Sequence, residues 1–296
     1  LEKSHNMIPI CFTPFHLFLK TGFRVFASLL LMAGLIGCGG GSNPTGGISD
    51  APPVTPYVPT VNPGAYIGTV NSKDWVTILR PTAPATDGVT QYFALHYNTS
   101  DPDIYSGSGR IAGINTATIS KVSLFPDNAK PLRAGTGTVT ALTGGMISTT
   151  LNFPASGTEI EKILNFDHSP PSGFDYTLPA TSAAVEGVWT GRWSYSVGAS
   201  DNFTLSVSAQ GDVSSGMMFQ NDCRITQGRL DPNFDGLNLY NFSVTFPNAT
   251  VCTSFGGQSL TGAAFVTPSP VAGKTQRLYL VGITPEGRGI SFKADR

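Results

Sequence analysis

From about position 64 onward, apolar and polar residues alternate in short runs separated by Gly, Pro, Asn and Asp. Trp189, Gly191, Trp193, Tyr195 and Val197 fall on one side of an extended chain, and Thr190, Arg192, Ser194 and Ser196 on the other. A period of two over nine residues is the signature of a strand with one buried face. Phe203, Leu205 and Val207 repeat the pattern, as do Tyr240, Phe242, Val244 and Phe246. Gln276 to Ile283 and Gly289 to Ala294 supply the last strands. Upstream, strands are expected over 65–71, 74–80, 90–98, 108–114, 118–125, 135–142, 146–153 and 160–167. Asp87-Gly88, Pro126-Asp127 and Gly144-Gly145 mark turns between them. No run carries a convincing helical period, so the fold class is all-β.

The pattern occurs twice. Gly64-Ala65-Tyr66-Ile67-Gly68 opens one half and Gly187-Val188-Trp189-Thr190-Gly191 the other. Each half has a late Thr/Gly-rich strand, Gly135 to Ala141 and Ser259 to Val266. Each ends on an amphipathic strand, Ile160 to Asp167 and Gly289 to Asp295. About eight strands per half suit two tandem antiparallel barrels, because closure removes exposed sheet edges. β-Sandwiches are the alternative, since strand count does not separate the two. The division expected is a first domain over 64–168, a Pro-containing linker over 169–184 and a second domain over 185–296. Gly187-Val188-Trp189, and Gly64-Ala65-Tyr66 with Tyr in place of Trp, resemble the first strand of the lipocalin/calycin family. That resemblance implies a calycin-like barrel. An eight-stranded barrel is either filled by side chains or holds one small ligand. Trp189, Trp193 and Tyr195 are the candidate lining of such a site, although aromatic residues in small barrels more often form the core.

Ahead of the β pattern lies a different kind of chain. Lys20 and Arg24 precede an apolar run from Val25 to Ile36. The run is too short to cross a bilayer, which needs about 20 apolar residues, and reads as a cleaved export signal. Met7 offers a start upstream of it. Leu35-Ile36-Gly37-Cys38 resembles a bacterial lipobox, in which cleavage precedes a cysteine that carries lipid. The resemblance implies a signal peptide over 1–37 and acyl chains, palmitate among them, on Cys38. More than one chain gives stable anchoring where a single one is marginal. Gly, not Asp, follows Cys38, which by resemblance to enterobacterial sorting points to the outer membrane. Residues 38–63 then read as a tether: Gly39-Gly40-Gly41-Ser42 is flexible, and Pro44, Pro52, Pro53, Pro56, Pro59 and Pro63 favour extended geometry. Lipidated cysteine, Gly-rich tether and paired β-domains resemble the layout of surface lipoproteins of the factor H-binding type.

Composition adds exclusions. Removing residues 1–37 takes away Lys3, Lys20, Arg24 and Glu2, leaving 15 basic and 18 acidic residues. No basic stripe is present, which argues against nucleic acid as a partner. Of four cysteines, Cys11 lies in the leader and Cys38 is the lipid site. Cys223 and Cys252 remain, and in an exported chain they are expected to form a disulfide.

Catalytic chemistry has little to stand on. There is no Gly-x-Ser-x-Gly, and Ser200-Asp201-Asn202 lacks the Ser-x-x-Lys that would accompany it in a penicillin-binding site. Only His96 and His168 follow the leader, one in each of two distant strands, which disfavours a His-based triad or zinc site. Asp231, Asn233 and Asp235, followed by Gly236, match the first half of a calcium loop. Position 12 of that loop would be Phe242 instead of a bidentate Glu, so a polar inter-strand turn is the better reading. No cofactor is expected. The sequence therefore points to a non-enzymatic, outer-membrane-anchored lipoprotein with a binding or envelope-structural role. The alternatives are a lipocalin-like carrier of a small apolar ligand, or an adhesin or enzyme inhibitor with a protein partner.

Overall fold

The computed structural model describes residues 60–70, 73–82, 91–98, 104–111, 115–125, 133–155, 157, 161–195, 198–216, 224–225, 227–233, 236–248, 252, 255–285 and 289–296. The lipobox, Cys38 and all but the last residues of the expected tether lie outside them, as do Cys223 and Asp235. The chain divides into one unit over Leu1–Val54 and a second over Thr55–Arg296, and every described residue belongs to the second.

The second unit is all-β. The first sheet contains β1 (Gly64–Val70), β2 (Lys73–Pro81), β3 (Gln91–Asn98), β4 (Ile104–Ile111), β5 (Thr116–Phe125), β6 (Arg133–Ala141), β7 (Ile147–Phe153) and β8 (Lys162–His168). Its strands are antiparallel neighbours in chain order. Ile67 and Ser169 exchange backbone hydrogen bonds of 2.8 and 3.0 Å, bringing the two ends of the sheet together. A four-residue helix, α1 (Ser182–Val185), precedes the second sheet. That sheet contains β9 (Gly187–Tyr195), β10 (Gly198–Val207), β11 (Val213–Ser215), β12 (Gln227–Pro232), β13 (Tyr240–Thr245), β14 (Ser259–Pro268), β15 (Gln276–Ile283) and β16 (Gly289–Asp295). Its spatial order is β11-β10-β9-β16-β15-β14-β13-β12. An isolated bridge between Asp212 and Arg229 links its outer strands. A sheet curled until its edges meet leaves few open backbone groups, and the architecture is barrel-like.

The side-chain alternation places the cores. In the second sheet Trp189, Trp193, Phe203, Leu205, Phe242 and Phe292 point inward and join one buried cluster. In the first, Tyr66, Trp75, Leu79, Leu151, Phe153 and Phe166 do the same. A third cluster lies on the outer faces. Ala65, Val76 and Ile78 of β1 and β2 pack on Ala263, Phe265, Tyr279 and Val281 of β14 and β15. Phe265 stacks on Tyr279 at 4.8 Å and meets the edge of Phe174 at 5.5 Å. Strands in this third cluster are buried on both faces. Their sequences accordingly run almost wholly apolar: Val76 to Leu79 apart from the buried Thr77, Ala263 to Val266, Leu278 to Val281.

Polar groups seal the same contact. The Arg80 guanidinium donates to Asn241 Oδ1 at 3.2 Å and to the Gly262 carbonyl at 2.7 Å, and Lys293 pairs with Asp74 at 3.6 Å. Gly262 is required beneath Arg80. It faces Gly282 across β14 and β15, and a Cβ there would collide with the Val281 carbonyl. The expected linker is tied down in the same region. The backbone N–H of Asn238 donates to the Tyr176 carbonyl at 2.9 Å, and the Tyr240 hydroxyl donates to the Thr181 carbonyl at 2.8 Å.

His168 sits under the seam of the first sheet, 1% exposed. Gly68 makes room for it: a Cβ at Gly68 would stand 2.7 Å from the imidazole ring. Burial pushes its pKa down to about 4, against the opposing pull of the neighbouring Asp167 carboxylate.

Candidate functional site

Trp189 and Trp193, the candidate ligand lining, are both 0% exposed and held in the second core. Trp189 Nε1 donates to the Val185 carbonyl at 2.8 Å, so α1 fixes the indole from below. The Arg296 guanidinium covers the same ring at 4.5 Å from its centroid. Trp193 packs on Phe203 at 5.0 Å and on Phe292 at 6.2 Å, and Phe203 meets Phe292 edge-on at 5.5 Å. These rings pack on one another inside the second sheet. Tyr195 ends β9 opposite Ile290, and its side chain lies outside the described residues.

In the segment with calcium-loop spacing, the described residues Asp231 and Asn233 make contacts within the protein. Asp231 lies in β12 and accepts from Arg229 at 2.7 Å. Asn233 is buried, its backbone N–H donates to the Leu239 carbonyl, and its side-chain amide approaches Asn241 Oδ1 at 3.4 Å. Gly236 takes a φ of 68°, which turns the chain towards β13 as an inter-strand loop requires. Among the described residues no three His, Cys, Asp or Glu side chains form a group able to hold a metal ion. Cys252 is fully buried in the second core.

One wide opening lies on the outside of the second sheet. A groove of about 720 Å³ crosses five strands of the second sheet, β10 to β14. The strand register explains its shape. Ser208, Asp212, Arg229, Ser243 and Thr261 form one outward row across the strands. Ser206, Ser214, Gln227, Thr245 and Ser259 form the next, two residues along each strand. The row between them, Val207, Val213, Gly228, Val244 and Leu260, turns inward and leaves its backbone as the floor. Gly228 suits this inward row because a Cβ there would press on the core side chains of Val213 and Val244 at 2.9 Å. Sheet spacings give a groove about 19 Å long and about 7 Å across.

The walls are polar throughout. Arg229 donates to Asp212 at 2.7 Å, and that hydrogen bond holds the Asp212 carboxyl below its usual range. The pairing with Asp231 first, and then Asp212, raises the Arg229 pKa, so the charges in the groove stay ionised and offset one another. Seven wall residues carry hydroxyls, and those of Thr245 and Ser259 share a hydrogen bond of 2.9 Å. A second opening of about 480 Å³ has the same plan on the first sheet. Thr118, Thr138 and Thr150 form one row, Thr136 and Asn152 the other, and Ile119, Gly137 and Leu151 the inward row between them. Asn152 Oδ1 is buried there and accepts no hydrogen bond among the described residues. Sequence reading passed over both grooves. Their signal is the cross-strand register of Ser and Thr, which becomes visible only once the strands are paired.

No family model, no curated protein and no solved structure matches this chain.

Proposed function

We propose that this chain is an outer-membrane-anchored lipoprotein, held by lipid on Cys38, with a non-enzymatic binding or envelope-structural role carried on the outer faces of two small barrels. Two sequence features support the anchor: the Leu35-Ile36-Gly37-Cys38 resemblance to a lipobox and the Pro-spaced segment behind it. The observation that carries the rest is the packing of Trp189 and Trp193, both fully buried among other rings. A carrier of small apolar ligands needs an interior cavity. Here the aromatic candidates for that cavity, Trp189 and Trp193, are committed to the core, and a wide opening lies outside. Export also implies a Cys223–Cys252 disulfide, which would close a loop of about 30 residues and stabilise the fold by roughly 3–4 kcal/mol.

The anchor is tested by fractionation. Expressed in a bacterial host with its leader, the wild-type protein is expected in the membrane pellet and extractable by detergent alone. Cys38→Ser removes the acyl site and moves the protein to the soluble periplasmic fraction. Membrane association that survives Cys38→Ser would overturn the anchor.

A further inference from the structure

We propose that the outer grooves bind a neutral, linear, polyhydroxylated chain: an oligosaccharide strand lying across β10 to β14, with a shorter site of the same plan on β5 to β7. This rests on the reading of the outer faces as the binding surface and names the ligand class they take.

The walls determine the chemistry. A hydroxyl donates one hydrogen bond and accepts two, so rows of Ser and Thr suit a ligand that presents both functions at short intervals. In the second sheet polar side chains repeat at the strand spacing, about 4.8 Å, on both sides of a groove about 7 Å wide, with hydroxyls at Ser208, Ser243 and Thr261 on one side and at Ser206, Ser214, Thr245 and Ser259 on the other. Sugar rings in a linear glycan offer that density of donors and acceptors along both edges. The charged wall residues Arg229 and Asp212 are bonded to each other, and Arg229 also holds Asp231, so the cluster carries one guanidinium against two carboxylates, which disfavours an anionic polymer. Gln227 adds an amide with both functions.

An extended peptide fits less well. Peptide recognition by sheets draws on open main-chain groups at an edge. The floor of this groove is backbone paired between β10 and β11 and from β12 to β14, and the sheet edges β11 and β12 are joined by the Asp212–Arg229 bridge and by the Leu230 N–H, which donates to the Gly211 carbonyl at 2.8 Å. Neither wall row carries an apolar side chain that would hold the side chains of a peptide. The first sheet repeats the device independently: Thr118, Thr138 and Thr150 face Thr136 and Asn152 across a floor containing Gly137.

The test is a residue-resolved NMR titration of the mature protein with cellohexaose, maltohexaose and chitohexaose in turn, and with a Gly-Ser octapeptide as the contrasting probe. At least one hexasaccharide is expected to shift amides of the two wall rows saturably, with affinity in the millimolar range that contacts lacking an aromatic platform allow. Ser243→Val with Thr261→Val removes two exposed hydroxyls from one row and is expected to weaken binding about ten-fold or more. Both residues are solvent-facing, and valine suits a strand, so the fold is retained. Absence of shifts with all three saccharides overturns the proposal. Shifts in the same rows with the peptide alone overturn the ligand class and leave the outer-face reading standing. Shifts centred on Trp189 and Trp193 overturn both.

Discussion

Replacing Ile78 by Asp is expected to lower the thermal midpoint of the folded unit by about 10 °C or more. Ile78 is 0% exposed and sits in the cluster that joins the outer face of the first sheet to that of the second. A carboxylate there would be taken from water into contact with apolar groups such as Phe265 and Val281. Burying an unpaired charge costs several kcal/mol, above the ordinary range for single substitutions. Arg80, two residues along the same strand, does not rescue it, because its guanidinium is already bonded to Asn241 and the Gly262 carbonyl. A unit of this size loses about 2–4 °C per kcal/mol. Ile78→Val, which removes one methylene, should cost only about 1 kcal/mol. Ile163→Asp is the surface control: Ile163 is 55% exposed, and a change there should fall within about 0.5 kcal/mol. Calorimetry of the three variants separates the outcomes. A wild-type-like midpoint for Ile78→Asp would mean that the two sheets are not packed on each other.

The second large effect is on acid stability. The His168 pKa is depressed to about 4 from an unfolded value of 6.5, first because the ring is desolvated. The neutral ring is the form the fold accepts. Its contribution is therefore complete above about pH 6.5, and it declines as pH falls towards 4, where the unfolded chain binds a proton that the folded chain resists. About 1.4 kcal/mol per pKa unit gives a loss of roughly 3 kcal/mol across that window. Asp167 is the charged neighbour that limits the shift. Denaturant titrations at pH 7.5, 5.5 and 4.5 should show the decline, and His168→Gln should flatten it. An unchanged pH profile in the variant would show that His168 is not the group responsible.

Much of the fold was legible because half-buried strands write their geometry into the sequence. In the first half the expected 65–71, 74–80 and 146–153 fall on β1, β2 and β7 within about two residues. β4 was displaced, expected at 108–114 and found at Ile104–Ile111, because Ser106-Gly107-Ser108-Gly109 carries no apolar alternation. β11 and β12 gave no signal for related reasons. β11 has three residues, and in β12 the inward positions are Gly228 and Leu230, so only one large apolar residue marks the buried face. The contact between the sheets was written differently, as unbroken apolar runs such as Ala263 to Val266. Those runs indicate burial on both faces, and they record that something covers the outside without naming what does.

The candidate site was less legible. Trp189 and Trp193 attract attention as aromatic residues on one strand, yet spacing alone does not distinguish a lined cavity from a filled one. Phe203 and Phe292 come from β10 and β16, the strands paired on either side of β9, and they meet Trp193 only once those strands are paired. The calcium-like spacing likewise gave no hint that Arg229, on the same strand as Asp231, bonds its carboxylate. The hydroxyl grooves were invisible because their residues are scattered between Ser206 and Thr261 and become rows only through pairing.

The most direct test of the account is native mass spectrometry of the protein extracted from membranes in mild detergent. A filled interior with binding on the outer faces predicts one dominant mass, that of the polypeptide from Cys38 onward with its acyl chains, and no retained apolar molecule. A lipid or other apolar guest carried through in stoichiometric amount, and lost when the protein is unfolded, would contradict it.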